Sequence, residues 1–333
     1  MSKTGGERAI ISRIRGLIPG GSGDLVKGIG DDCAILKAGP GRLNLVTLDT
    51  LVQGVHFDPA WHPAHELGRK SASVNISDIA AMGASPRFAL LSLALPRAVS
   101  KEWVESFMAG FLEVLTEFGA VLIGGDTVAS GHEIVLSITM FGEVAETEVL
   151  TRDTAKVDDL VLVGGFLGEA AAGLDLCRMG QGGAAQWQPL VKAHLDPTPQ
   201  VELGRVLARS GLVHAMLDLS DGLATDLAHV CAESKVGAEV VAEEVPLSDL
   251  LRKAASFCGR SPLEWALAGG EDYQLLFTVA PDNEQRLRTL VAEQLGGVLY
   301  CVGRIVEGAG VTMISADGSR REISYQGFEH FAG

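Results

Sequence analysis

The residues that could do chemistry in this chain are aspartates, and they come in company with glycines and hydroxyls. "GDD" (30–32) precedes an apolar run. "LDT" (48–50), "GGDT" (124–127) and "LSDG" (219–222) each follow one, and "NISDIAAMG" (75–83) lies in a helical stretch. Asp31 and Asp32 are adjacent. Neighbouring carboxylates repel, and burying them costs several kcal/mol unless a positive group pairs with them. An aspartate at a strand exit sits where open α/β sheets bind ligands. Glycine lets backbone approach closely, and Ser or Thr adds a neutral oxygen. Oxygen-only ligand sets suit hard cations, Mg²⁺ above all. One such aspartate alone is commonly a turn residue or helix cap. Five acidic sites in one chain, none of them histidine-rich, point instead to a site with several Mg²⁺ ions that handles phosphates.

The usual nucleotide signatures are missing. There is no G-x-x-x-x-G-K-[ST] loop, no kinase H-R-D or D-F-G set, and no H-E-x-x-H. "GGFLGEAAAG" (164–173) follows an apolar run and opens a helix. It could bind phosphate at the helix N-terminus or serve close packing.

The elements that must position these residues alternate between strand and helix signals. Residues 43–52 read as a strand, 64–82 and 101–119 as helices, 120–126 as a buried strand leaving through two glycines, and 133–144 as a strand. A second series begins with a strand at 158–165. It continues with a helix at 168–180, a strand at 213–219, a helix at 222–234, a strand at 273–280, a helix near 283–295, and strands near 299–306 and 310–315. The polar turn "AETEVLTRDTAKVDD" (145–159) separates the series, and the expected domains are 1–148 and 149–333.

The 333 residues, 47% hydrophobic and only 5% aromatic with 41 glycines, fit a two-domain α/β protein. A net charge of −15 with no Lys/Arg-rich block argues against a nucleic-acid partner. No apolar run reaches membrane-spanning length, and the N-terminal stretch lacks the apolar core of a signal peptide. The cysteines, scattered without a C-x-x-C pair, fit a reduced, cytoplasmic protein with no thiolate metal site.

Taken in order, "GIGDDCA", "DTLVQGVHF", "NISDIAAMGA", "GGDT", "LTR", "LSDGLATDL", "GGEDYQL" and the terminal "YQGFEHF" resemble the thiamine-monophosphate kinase family. That family belongs to the superfamily of aminoimidazole ribonucleotide synthetase and selenophosphate synthetase. The chain lacks the N-terminal reactive Cys expected of a selenophosphate synthetase and the terminal Cys motif expected of a hydrogenase-maturation relative. The resemblance implies two α/β domains of the aminoimidazole ribonucleotide synthetase-like type, with ATP between them. It implies a homodimer whose N-terminal sheets join in a barrel-like core. The implied reaction is Mg²⁺-dependent transfer from ATP to thiamine monophosphate, giving thiamine diphosphate and ADP.

By matching motif, the resemblance implies that Asp31, Thr47, Asp49, Asp78, Asp126, Asp218 and Asp221 hold metal. Gly125, Asp126, Arg152 and Ser220 would contact ATP, and His56, Glu271 and Phe328 the thiamine phosphate. No catalytic side chain is expected, because the attacking phosphate is already largely a dianion at pH 7. On this reading magnesium is the positive partner of Asp31 and Asp32, although Asp32 could instead orient the loop. Asp226 could support a ligand or be solvated. Three positions depart from the family pattern. Leu48 replaces the usual hydroxyl, which loses an oxygen ligand unless that contact was made by backbone. Asp196 and Gln200 stand where relatives often carry arginines, which puts a phosphate role for residues 192–200 in doubt. Phe328 can stack but cannot donate a hydrogen bond. The rival readings are another ATP-dependent superfamily member, a two-metal phosphatase, and an inactive protein that binds metal or nucleotide.

Overall fold

The computed structural model describes residues 24–327 together with Ile11. Alternation sets the first sheet. In β3 (Arg42–Val52) Leu43, Leu45, Thr47, Asp49 and Leu51 share one face, and Asn44, Val46, Leu48 and Thr50 the other. β3 pairs antiparallel with β2 (Ala34–Gly39) and β6 (Val135–Ala145). β1 (Leu25–Lys27), β4 (Ser85–Pro96) and β5 (Val121–Ser130) complete the order β1-β2-β3-β6-β4-β5.

Two helices, α1 (Ala64–Ala81) and α2 (Lys101–Glu117), cover the Leu43–Leu51 face and close the first core with Ile138, Met140, Phe107 and Phe111. They cross where each carries a glycine. A Cβ on Gly68 would lie 2.0 Å from the Phe107 carbonyl oxygen, and one on Gly110 2.0 Å from that of His65. Ser100 caps α2 by accepting the Trp103 N–H at 3.1 Å.

The second sheet has the order β13-β12-β9-β11-β7-β10-β8. Its strands are β7 (Leu160–Val163), β8 (Val213–Asp218), β9 (Gly237–Val241), β10 (Leu275–Val279), β11 (Tyr300–Val306), β12 (Gly310–Ile314) and β13 (Arg320–Glu322). Every pairing is antiparallel except β12 with β9. The helices are α3 (Glu169–Arg178), α4 (Gln188–Leu195), α5 (Val201–Ser210), α6 (Leu223–Ser234), α7 (Asp249–Cys258), α8 (Pro262–Ala268) and α9 (Glu284–Leu295).

The two halves share their packing. Ala81 and Leu150 enter the core beneath β10 and α5, while Val201 and Tyr273 pack on the first core. α5 crosses α1 at Gly204, where a Cβ would lie 2.2 Å from the Ala80 carbonyl oxygen. α1 is therefore the spine of both halves. Among the described residues no helix is long and apolar enough to cross a membrane.

Two expectations need correction. Residues 120–126 are not a buried strand ending at its glycines. β5 runs through them to Ser130 as an edge strand, and Val121, Ile123 and Val128 are exposed. Apolar composition was read as burial, but this edge has no cover in the single chain. "LDT" is likewise interior to β3 rather than beyond its exit.

Replacing Gly110 with Val should destabilise the protein by about 2–3 kcal/mol, because backbone on both sides leaves the new side chain no room. Urea denaturation measures this.

Candidate active site

The acidic residues converge on α1. Its interior is unusually polar: Ser71, Ser73, Asn75 and Ser77 are all buried. Ser71 donates to the Leu67 carbonyl at 2.7 Å and Asn75 to that of Ser71 at 3.2 Å, so the helix satisfies part of its own polar face. The Asn75 side-chain oxygen accepts the Asp49 N–H at 3.2 Å, tying β3 to the helix. The Thr47 hydroxyl donates to Asp78, and the Ser77 hydroxyl donates to Asp218 at the end of β8. Adjacent residues of one helix thus hold one group from each half of the molecule.

The result is a compact carboxylate group. One oxygen each from Asp32, Asp78 and Asp218 lies within 4.8 Å of the others. Burial first, then the charges of Asp49, Asp218 and Asp32, push the Asp78 carboxyl well above its usual range. Burial likewise raises Asp218. It lifts Asp49 to about 6, with a further push from Asp218. Burial carries Asp32 to about 8; Arg152 pulls the other way, and Asp218 and Asp31 add to the rise.

The positive partners of the aspartate pair are side chains. Lys27 Nζ lies 2.6 Å from Asp31, and it is shared with Asp153 at 2.8 Å. Arg152 pairs with Asp32, places its Nε 3.5 Å from Asp31, and donates its own N–H to Asp31 at 3.2 Å. These cations lie at the 31–32 end, and the other Asp32 oxygen, Oδ2, is buried with no hydrogen-bond partner.

Beside this group opens a cavity of about 730 Å³. Asp49, Ser220 and Asp221 form its wall toward the carboxylates. His56, Trp61, Arg178, Arg260, Glu271 and Tyr273 also line it. The loops carrying Ser220 and Glu271 are stitched together: the Glu271 N–H donates to the Ser220 carbonyl at 2.8 Å, and the Tyr273 N–H to that of Leu219 at 2.9 Å. Glu271 itself is ion-paired with Lys70 at 2.6 Å and lies 2.9 Å from His194. Burial alone would raise its carboxyl. Lys70 and then His194 outweigh that and hold it far below the usual range.

The remaining sequence candidates divide. Gly327 lines the cavity and donates its N–H to Thr225 at 2.8 Å; the next residue, Phe328, lies outside the described residues. His56 lines the cavity while its Nδ1 accepts the Val52 N–H at 3.0 Å. Asp226 organises a loop, accepting the N–H groups of Asp221 and Gly222, both at 3.0 Å.

Asp126 does not join the acidic group within one chain. The register Asp49–Ile138–Leu91–Gly125 puts its strand three spacings from β3, roughly 14 Å. Gly125 has a packing reason of its own, since a Cβ there would lie 1.8 Å from the Leu91 carbonyl oxygen.

Other expectations change. Leu48 is 59% exposed on the face opposite Thr47 and Asp49, so its presence removes no oxygen from the Asp32–Asp78–Asp218 group. Asp196 accepts from Arg69 Nε at 2.8 Å, which gives it a structural partner. The "GGFLGEAAAG" turn is not an open phosphate cradle, because Asp272 takes the Gly168 and Ala170 N–H groups at 2.6 and 3.2 Å.

Sequence reasoning left Asp32 undecided and missed Lys70 and His194. Asp32 carries a signal, adjacency to Asp31. Lys70 carries one only once 64–82 is drawn as a helix, where it falls on the buried face with Ser77.

Comparison with known proteins agrees with this layout. Residues 30–144 match the family model "AIR synthase related protein, N-terminal domain", and residues 156–315 its C-terminal counterpart. The thiamine-monophosphate kinase of Escherichia coli K12 is 36% identical over 329 residues, covering 98% of each chain. The solved structure of AaThiL complexed with AMPPCP and TMP superposes with a TM-score of 0.87 at 33% identity, covering 99% of each chain. That of thiamine-monophosphate kinase from Stenotrophomonas maltophilia K279a gives 0.76 at 39% identity, covering 92% of this chain and 94% of that one.

The raised carboxyls set the sign of a pH effect. A folded-state pKa above the unfolded one means the native state binds more protons, so this contribution falls as pH rises from about 4 toward the value of about 8 for Asp32. In EDTA, Asp78→Asn should therefore raise the Tm, by about 2 °C or more at pH 8 and by less at pH 5.5. Equal shifts at both pH values, measured by scanning calorimetry, would contradict the repulsion described.

Proposed function

The chain belongs to the thiamine-monophosphate kinase family, and we propose that it makes thiamine diphosphate and ADP from thiamine monophosphate and ATP in thiamine biosynthesis. The observation that carries this reading is the junction of a buried, all-oxygen carboxylate group with a cavity large enough for a substrate. Transfer is direct and in line between two phosphates. The acceptor needs no general base, because its second pKa is near 6. The obstacle is electrostatic: two polyanions must meet next to a set of aspartates.

The residues present fit Mg²⁺. The ligand atoms are close, the donor set is oxygen only, the carboxyls are raised by burial and mutual charge, and Asp32 Oδ2 has no other partner. Asp32, Asp78 and Asp218 would hold an ion, with Asp31, Thr47, Asp49 and Asp221 as the neighbouring oxygen ligands of further ions. Bound Mg²⁺ supplies positive charge to the phosphoryl oxygens and lets the two phosphates approach. Arg152 and Ser220 are assigned to the nucleotide. His56, Glu271 and Phe328 are assigned to the thiamine phosphate. Phe57, Trp61, Trp265 and Tyr273 line the cavity and limit water around the substrate. The domains are taken as residues 1–148 and 149–333. The free thiols of all five cysteines support the cytoplasm as compartment.

The site is assigned to a homodimer. α1 and α2 cover one face of the first sheet, and the other face exposes Leu48 and Phe88. The edge strand β5 adds exposed Val121, Ile123 and Val128. A bare apolar sheet face of this kind is an interaction surface. Packing a second copy on it is what can bring Gly125 and Asp126 to an acidic group.

The test is a product assay with ATP, Mg²⁺ and either thiamine monophosphate or free thiamine. Thiamine diphosphate should appear with equimolar ADP from the monophosphate alone and vanish in EDTA. Asp218→Asn should lower kcat at least about 100-fold. Phosphate release without diphosphate would indicate a phosphatase instead, and ATP binding without turnover an inactive relative. Separately, Val121→Lys with Ile123→Lys should shift sedimentation from dimer to monomer and abolish activity with little loss of secondary structure. A dimer that survives the pair would refute the assigned interface.

A further inference from the structure

The least expected charge in the molecule is Lys70. It sits in the middle of α1 with no exposure at all, in a position a leucine or methionine would fill without desolvating an ammonium. Its counter-ion comes from the other half of the chain: Nζ lies 2.6 Å from Glu271 Oε1. The second Glu271 oxygen lies 2.9 Å from Nδ1 of His194, on α4. His194 packs against His62 with ring centroids 5.9 Å apart, and His62 Nε2 lies 3.2 Å from the Leu195 carbonyl. Burial favours the neutral form of both imidazoles.

Glu271 also sits on unusual backbone. Its φ is +71° and that of Tyr273 is +48°, so two non-glycine residues of one short loop are left-handed. Such conformations persist where surrounding contacts over-determine them. Here the contacts are those of the carboxylate with Lys70 and His194 and of the chain itself with the Ser220 carbonyl. Glu271 lines the cavity, with 24% of its side chain exposed. Two oxygens offer about four lone-pair sites, more than Lys70 and His194 take up, so the carboxylate can accept a further donor.

We propose that Lys70, assisted by His194, is a positioning residue for the acceptor substrate: it fixes the orientation of the Glu271 carboxylate before the thiamine phosphate enters. This rests on the assignment of Glu271 to that substrate. The placement also gives α1 a double task. Lys70 holds the substrate-side loop, and Ser77 and Asp78, two turns further on, hold the acidic group. One rigid helix thereby sets the spacing between acceptor site and phosphate site.

Steady-state kinetics on Lys70→Met, Glu271→Gln and the double variant provide the test. Lys70→Met should raise KM for thiamine monophosphate at least 10-fold, while KM for ATP stays within 2-fold. The double variant should be no worse than Glu271→Gln alone, because Lys70 acts only through that carboxylate. If Lys70→Met lowers the Tm but leaves KM for thiamine monophosphate unchanged, or raises both KM values alike, Lys70 is merely structural and the proposal fails. If Glu271→Gln itself leaves that KM unchanged, the assignment of Glu271 fails first. Should Lys70→Met not fold, His194→Leu removes the other partner of the carboxylate and is read by the same criteria.

Discussion

Repulsion among buried carboxylates is the constraint on which this structure depends. Asp32, Asp78 and Asp218 are brought within a few ångströms by three different parts of the chain, and burial raises each of them. No fold would accumulate such a group for stability, because each carboxylate is costlier when its neighbours ionise. The chain tolerates it by spending its polar contacts there. Thr47 and Ser77 donate to two members, Arg152 covers a third, and Lys27 attends to Asp31. What these contacts leave is a set of carboxyl oxygens at a fixed place that ionise when a cation arrives, which is the requirement for collecting divalent cations and, through them, phosphates.

α1 makes this arrangement possible. It packs against α2 through a glycine crossing on one side and against α5 through Gly204 on another. Its buried face is therefore held between the two halves, and polar residues on that face reach both. The same helix meets the 30–32 loop and β3 from the first sheet and the Asp218 and Glu271 loops from the second. The antiparallel pairing of β8 with β10 brings the start of the loop after Asp218 beside the end of the loop that carries Glu271, since Asp218 ends β8 and Leu275 begins β10. Hydrogen bonds between these loops fix the phosphate side and the acceptor side of the cavity relative to each other.

Much of this was legible in the sequence because acidic and glycine residues cluster only where something unusual happens to the chain. The helix over 64–82, the position of Asp78 on it and the β8 exit followed from apolar periodicity and turn chemistry, whereas Asp218 as a ligand came only from the family resemblance. β5 was misjudged because an apolar strand reads the same whether or not the chain itself covers it. Residues 85–96 were assigned no element, yet they form the long strand β4. Leu48 looked like a lost ligand, but strand parity turns it to the opposite face from Asp49. Lys70 was missed although the 64–82 helix places it on the same face as Ser77. A lysine in a helix looks like surface until its burial partner, 201 residues away in sequence at Glu271, is placed beside it.

A metal site built from raised carboxyls must compete with protons, and calorimetric titration of Mg²⁺ at pH 8 in two buffers of different ionisation enthalpy tests this most directly. Binding should release protons, since carboxyls held above their usual range must ionise to act as ligands. Asp218→Asn should weaken the binding at least about 10-fold. Binding without proton release, or binding of equal strength in the variant, would mean that the Asp32–Asp78–Asp218 group does not hold the ion.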